Sequence, residues 1–203
     1  AGYASSMFYP DFLLYIPALL RVLGVNINAS FHIFVEITFI LCYGITYYCT
    51  KYITKSSYAA SVAAVVLTLC QYHMDDVYIR SAVGEYTALI FIPLVIAGIY
   101  DVFYKDMEKP WLLGIGMGGV LLCHSNSFVM CIGLCILFMI LRWKVWIHNV
   151  SLILKLIITT VTTLLITMFY WLPMLEQMIS TTFHVSTAWI MPDEAMREVS
   201  SIF

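Results

Sequence analysis

Long runs of mainly apolar residues constrain the fold of this chain more than any other feature of its sequence. Residues 31–48, 86–104 and 152–172 are each close to the roughly 20 residues that a helix needs to cross a bilayer. Only 11% of the 203 residues are charged, whereas a soluble domain has about 25%. The mean hydropathy is +0.92. The sequence therefore predicts an all-α fold, a polytopic bundle of transmembrane helices.

We predict that the chain, 1–203, is one partial transmembrane domain of a longer protein. It begins with Ala1 rather than methionine, and residues 193–203 look like a helix that begins after Pro192, so we expect it to be incomplete at both ends. Shorter apolar runs at 58–72, 111–123 and 128–141 lie between the long ones. The predicted parts are an outer segment with a short interfacial helix (1–30), about six spanning helices (31–172) and a second outer segment (173–203).

The basic residues predict the orientation in the membrane, because cytoplasmic loops carry an excess of Lys and Arg. If the loop that holds Lys51 and Lys55 is inside and each later segment crosses once, every lysine falls on the cytoplasmic side. Three arginines then lie outside, namely Arg21, Arg80 and Arg197. The polar stretch 73–85 and the break at 124–127 also face the outside.

The densest polar cluster, residues 73–85, holds the main candidate site residues. Asp76 and Arg80 are four residues apart, which puts them on one face if they share a helix. Glu85 lies deeper, where a carboxylate is costly unless it faces a cavity or a partner. Glu85 and Arg80 are therefore functional candidates, ahead of Asp75 and Asp76. The structural alternative is an Asp76–Arg80 ion pair, with Glu85 hydrogen-bonded to a neighbouring helix.

His124 begins a polar break, followed by Ser125, Asn126 and Ser127, between two short apolar helices. Irregular backbone at membrane depth is tolerated only where protein or a water-filled cavity surrounds it. A substrate-facing turn and a capped helical hairpin both fit, so His124 is a candidate without an assigned role. The six cysteines show no spacing typical of a metal site or a disulfide framework, and we predict no metal ligands.

Several short blocks carry a family resemblance. They are residues 8–25, 78–85, 91–94 and 170–178, together with the pair His124-Ser125. On these blocks the chain resembles bacterial membrane proteins labelled "6-pyruvoyl-tetrahydropterin synthase-related", relatives of the YfhO-like proteins. Tyr9-Pro10-Asp11 is similar to the tyrosine–proline–proline segment of GT-C type glycosyltransferases, with Asp11 in place of the second proline. The label implies no pterin chemistry, because nothing in the chain supplies a pterin synthase site.

The resemblance implies a GT-C-like fold that transfers sugar from a polyprenyl-phosphate carrier, outside the membrane, in cell-envelope glycan assembly. Such a transfer needs a carboxylate base and cations that stabilise the leaving phosphate. Glu85 suits the base and Arg80 the phosphate. The principal acidic residue of the family would precede Ala1. The remaining candidates for substrate binding are Asp76, Asp75, His124, Asp11 and Tyr9.

Two other classes of function stay open. A lipid or anion transporter would use the same buried ionisable residues and broken helices, and a non-catalytic assembly subunit would use Glu85 and Arg80 only as a pair. We expect membrane lipids and a polyprenyl-phosphate sugar as partners, and no nucleic acid, since the net charge is -2. The cofactor is left open, with a divalent cation as one candidate. The expected location is the cell membrane, with several crossings.

Overall fold

The computed structural model describes residues 9–180, whose regular elements are all helical. The predicted all-α fold is confirmed. The predicted helix at 193–203 lies outside the described residues. In chain order the elements are a 3₁₀ turn (Phe12–Leu14), α1 (Tyr15–Val22), α2 (Ile27–Thr54), α3 (Ser57–Thr68), α4 (Gln71–Tyr78), α5 (Val83–Ala88), α6 (Ile92–Tyr104), α7 (Pro110–Leu121), α8 (Ser125–Leu141), α9 (Trp143–Trp146), α10 (Val150–Ile166) and α11 (Met168–Ser180).

The chain divides into two compact units, Ala1–Thr167 and Met168–Phe203. The first contains α1 to α10, and the described part of the second is α11. Within the first unit, α2 packs on α3 and on α6, while α7 packs on α6 and on α10. These contacts form a bundle around α6, the most buried of the longer helices.

Two helical segments of the described chain are long and apolar enough to cross a membrane, α2 and Val83–Tyr104, which joins α5 to α6. The α10 and α11 segments pass the same test only as a pair. At 28 residues, α2 is about 42 Å long, so it exceeds the roughly 30 Å hydrocarbon core. The number of spans and their sidedness stay predictions.

Local sequence explains where α2 begins and ends. The Asn26 side chain accepts a hydrogen bond from the backbone N–H of Ala29 at 2.8 Å and caps the first turn. Lys55 ends the helix in the left-handed conformation, with φ 61°. Ser56 then caps α3 by accepting from the N–H of Ala59 at 3.2 Å. The turn between these caps makes α2 and α3 a helical hairpin.

The α6 and α7 helices approach closely at two glycines. A methyl group on Gly98 would lie 2.6 Å from the backbone nitrogen of Leu113, and one on Gly116 would lie 2.7 Å from that of Val95. Close contact of this kind is how small residues hold helices together in membranes. Val95, Val120 and Leu152 are among the buried residues of the core.

The apolar run 152–172, predicted as one spanning helix, is divided in the structure. The α10 helix ends at Ile166, and α11 begins at Met168. The hydroxyl of Thr167 donates to the carbonyl of Thr163 at 2.8 Å, a back-bond that weakens helices locally. Pro173 removes a further backbone donor from α11. Apolar composition alone did not predict this break.

Candidate functional site

Arg80 lies at the centre of the candidate site and joins two carboxylates. Its Nη1 donates to Oδ1 of Asp76 at 2.6 Å and to Oε2 of Glu85 at 2.9 Å, and its Nη2 donates to Oε1 of Glu85 at 2.9 Å. The hydroxyl of Tyr72 donates to the same Oε2 at 2.6 Å. Both oxygens of Glu85 therefore accept hydrogen bonds, and Arg80 holds Asp76 and Glu85 together.

A tight turn after α4 brings these side chains together. The backbone N–H groups of Ile79 and Arg80 both donate to the carbonyl of Asp75. Ser81 adopts a left-handed conformation, with φ 51°, and the chain then enters α5, whose first turn carries Glu85. Asp75 therefore supports the turn through its carbonyl, and any contact of its carboxylate with substrate stays a prediction.

Burial differs sharply among the three charged groups. The side chain of Asp76 is fully buried, that of Glu85 is 20% exposed and that of Arg80 is 49% exposed. Burial, reinforced by the negative charge of Glu85, raises the pKa of Asp76 although Arg80 opposes the shift. Hydrogen bonds to Glu85 and to Tyr72 raise the pKa of Arg80, so the guanidinium stays charged. The half-exposed guanidinium of Arg80 is thus anchored on its inner side by the buried carboxylate of Asp76.

Tyr9 and His124 lie beside this network. The hydroxyl of Tyr9 accepts a hydrogen bond from the backbone N–H of Gly84 at 2.8 Å, next to Glu85. The rings of Tyr9 and His124 are 6.4 Å apart, centroid to centroid. Nδ1 of His124 is 2.9 Å from the hydroxyl of Ser127. The structure therefore brings together Tyr9, Asp76, Arg80, Glu85 and His124.

Asp11 precedes the 3₁₀ turn but does not cap it with its side chain. Its carbonyl instead accepts a backbone hydrogen bond from Leu14 at 2.8 Å. The hydrogen bonds and ion pairs of the described chain do not join Asp11 to Arg80 or Glu85. An outer-face role for the Asp11 carboxylate stays a prediction.

The sequence model of one protein family covers almost the whole chain. This family is described as the 6-pyruvoyl-tetrahydropterin synthase related domain, a membrane protein, and it matches residues 6–202. The chain belongs to this family. No curated protein and no solved structure matches the chain. Family membership and the apolar helices establish a membrane protein, while the GT-C likeness and its activity stay proposals.

Within residues 9–180, no group of three or more His, Cys, Asp and Glu side chains is arranged to hold a metal ion. His32 and Glu36, four residues apart on α2, are both exposed.

Two contributors to the polar networks, Tyr72 and Asp101, were not predicted from the sequence. Tyr72 precedes Glu85 by 13 residues and resembles any aromatic residue at a helix boundary, so no pattern pointed to it. Asp101 is fully buried in α6, accepts a hydrogen bond from the hydroxyl of Tyr52 and accepts another from the backbone N–H of Lys109 at 2.7 Å. A carboxylate inside an apolar run is a recognisable signal and could have identified Asp101.

Proposed function

We propose that this membrane protein is a GT-C-like glycosyltransferase. It would transfer sugar from a polyprenyl-phosphate carrier on the extracytoplasmic side, in cell-envelope glycan assembly. Glu85 would act as the base, and Arg80 would bind the phosphate. The observation that supports this proposal best is the bridge that Arg80 makes between a buried carboxylate and a partly exposed one.

The difference in burial gives Asp76 and Glu85 different roles in the proposal. Asp76 bonds Arg80 from the buried side and keeps the guanidinium in place. Arg80 can then exchange Glu85 for a phosphate, because guanidinium groups bind both anions through two parallel hydrogen bonds. The exchange leaves Glu85, which is the more exposed of the two carboxylates, free to accept a proton.

The proposed reaction follows from that exchange. The Glu85 carboxylate accepts the proton of the acceptor hydroxyl while the acceptor oxygen forms a bond to the anomeric carbon of the sugar. The bond between that carbon and the phosphate oxygen breaks, and its electron pair leaves with the polyprenyl phosphate. Arg80 meets the negative charge that develops on this leaving group.

The other candidate residues would shape the binding site around this centre. Tyr9 and His124 lie at its edge and offer a hydroxyl group and an imidazole to sugar hydroxyls. Asp76 would act as a positioning residue, because its side chain is fully buried and bonds Arg80. Asp75 and Asp11 would contact substrate at the edge of the binding site.

A transfer assay on the purified full-length protein tests the proposal, with radiolabelled polyprenyl-phosphate sugars as donors and envelope lipids as acceptors. Glu85→Gln should lower the rate by about 10²-fold or more, the usual contribution of a positioned base. Glu36→Gln is the matched control, because it removes an exposed carboxylate from α2 outside the network. Absence of donor binding and turnover in the unmodified protein would refute the proposal.

One observation favours a second function, that of a non-catalytic assembly subunit. Both oxygens of Glu85 are already hydrogen-bonded, as in a purely structural ion pair. Replacing Arg80 and Glu85 together by glutamine distinguishes the two functions. A subunit that needs only the fold would keep supporting glycan assembly in cells, whereas a transferase would lose it.

A further inference from the structure

A pocket lined by lysines and tyrosines lies at the other end of the Val83–Tyr104 segment from Arg80. It has a volume of about 480 Å³. Both α2 and Val83–Tyr104 end beside it, and the contact between Tyr52 and Asp101 joins these ends. Three lysines and three tyrosines line the pocket, namely Lys51, Lys55, Lys109, Tyr47, Tyr48 and Tyr52.

The ammonium groups of the pocket lie close to the tyrosine rings. Nζ of Lys109 is 4.4 Å from the ring centroid of Tyr52, and Nζ of Lys55 is 4.6 Å from the same centroid. Lys109 also donates to the hydroxyl of Tyr48 at 3.2 Å. Nζ of Lys51 lies 5.6 Å from the ring centroid of Tyr47. Cations and hydroxyl donors thus converge on one cavity.

These lysines lack anionic partners within the described chain. Both ion pairs found between residues 9 and 180 belong to Arg80. Asp101 is buried and accepts hydrogen bonds from the hydroxyl of Tyr52 and the backbone N–H of Lys109, not from an ammonium group. Glu108 is exposed. The pocket therefore keeps an excess of positive charge.

The pocket lies at the end of a spanning helix, so its positive charge is expected at the membrane surface. Tyrosines and lysines at the end of a spanning helix are typical of the boundary between lipid and water. One face of α2 leads towards Lys51 through Ile40 and Tyr43, which are 70% and 40% exposed. That face is apolar and can receive acyl chains, while the lysine distribution predicts that the pocket is cytoplasmic, where anionic lipids concentrate.

We propose that this pocket binds the headgroup of an anionic phospholipid. The phosphate oxygens would accept hydrogen bonds from the ammonium groups of Lys51, Lys55 and Lys109 and from the hydroxyls of Tyr47 and Tyr48, because the hydroxyl proton of Tyr52 is already donated to Asp101. The acyl chains would lie along the exposed face of α2. A phospholipid fits better than a soluble phosphate, because only the lipid uses both the charged pocket and the apolar face beside it.

Lipid binding by the full-length protein in neutral detergent tests the proposal. Native mass spectrometry would titrate phosphatidylglycerol, phosphatidylcholine and soluble glycerol phosphate as three separate probes. We expect tight retention of phosphatidylglycerol alone, weakened by 0.5 M salt because salt screens the lysines. Lys51→Gln with Lys55→Gln should weaken it about 25-fold, since each lysine near an anionic surface contributes about five-fold.

The matched control is Lys105→Gln with Lys144→Gln, which removes the same charge from lysines that do not line the pocket. It should leave the affinity nearly unchanged. Lys51→Arg with Lys55→Arg keeps the charge and should retain binding, which separates a local site from a folding defect. Equal retention of phosphatidylglycerol and phosphatidylcholine, or equal weakening by the control pair, would overturn the proposal. Full competition by glycerol phosphate would identify a soluble anion as the ligand instead.

Discussion

Arg80 binds Glu85 through two parallel hydrogen bonds, Nη1 to Oε2 and Nη2 to Oε1, each 2.9 Å long. The two residues are five apart in sequence, and the left-handed turn at Ser81 brings them together. A guanidinium group makes this planar fork, whereas an ammonium group presents a single point of charge. The pair therefore depends on shape as well as on charge.

Arg80→Lys should consequently lower the thermal midpoint although the charge is kept. Lysine cannot bond Asp76 and both oxygens of Glu85 with the same geometry. Arg21→Lys is the control, because Arg21 is exposed and makes a single long hydrogen bond of 3.4 Å to the carbonyl of Val25. Differential scanning fluorimetry measures the thermal midpoints of both variants, and only that of Arg80→Lys should fall. Equal midpoints would mean that the fork adds nothing to stability.

The buried Asp76 makes stability depend on pH. Its pKa is raised above the ordinary value of 3.8, chiefly by burial, so folding favours the protonated form. Protonated Asp76 makes its full contribution to stability at pH values below the pKa of the unfolded state. This contribution is lost as pH rises through the higher pKa of the folded state. The wild type should therefore lose stability relative to Asp76→Asn as pH rises from about 3.8.

Thermal midpoints of the wild type and of Asp76→Asn, measured in steps from pH 4 to pH 8, check this expectation. The difference should grow in favour of the variant with rising pH and then level off. Asp75→Asn makes the same change of charge one residue away and serves as the control. A difference that grows in favour of the wild type would indicate that Arg80 outweighs burial and lowers the pKa of Asp76.

Local sequence patterns predicted part of the candidate site. The four-residue spacing of Asp76 and Arg80 suggested an ion pair, which the structure contains, although α4 ends at Tyr78 and Arg80 lies in the turn after it rather than on the same helix. The position of Glu85 at the start of an apolar run pointed to a polar partner, which is Arg80. The apolar runs also predicted the two segments that are long enough to cross a membrane. These features succeed because they depend on residues that are close in sequence.

Contacts between distant residues could not be predicted in this way. Tyr52 and Asp101 are 49 residues apart, and their pairing depends on how α2 and α6 pack. The helix end before Thr167 was also missed, because a threonine in an apolar run gives no strong stop signal. Periodicity specifies which residues are apolar, but it does not specify which helices become neighbours.

The contact between α6 and α7 predicts a large difference between two glycine substitutions. Gly98→Ala would push a methyl group to 2.6 Å from the backbone of Leu113, so the helices would have to separate. We expect a loss of about 1–3 kcal/mol in the free energy of unfolding, as for other overpacked sites.

Gly133→Ala is the matched control, since an added methyl group there meets nothing within 4 Å. Alanine is the better helix former, so the variant should gain about 0.5–1 kcal/mol. Unfolding in denaturant, followed by circular dichroism in detergent, measures both changes. Similar values for the two variants would contradict the close contact between α6 and α7.

Asp101 should be required for stability rather than for transfer, because it lies at the other end of its span from Glu85. Asp101→Ala leaves the hydroxyl of Tyr52 and the N–H of Lys109 without their acceptor, and each unpaired group costs about 1–3 kcal/mol. Asp101→Asn should cost less, since an amide can accept from Lys109 and donate to Tyr52. In the Asp101→Ala background, Tyr52→Phe should cost almost nothing further, because the bond it removes is already lost. A full additional loss in the double variant would show that the Tyr52 hydroxyl stabilises the fold through another partner.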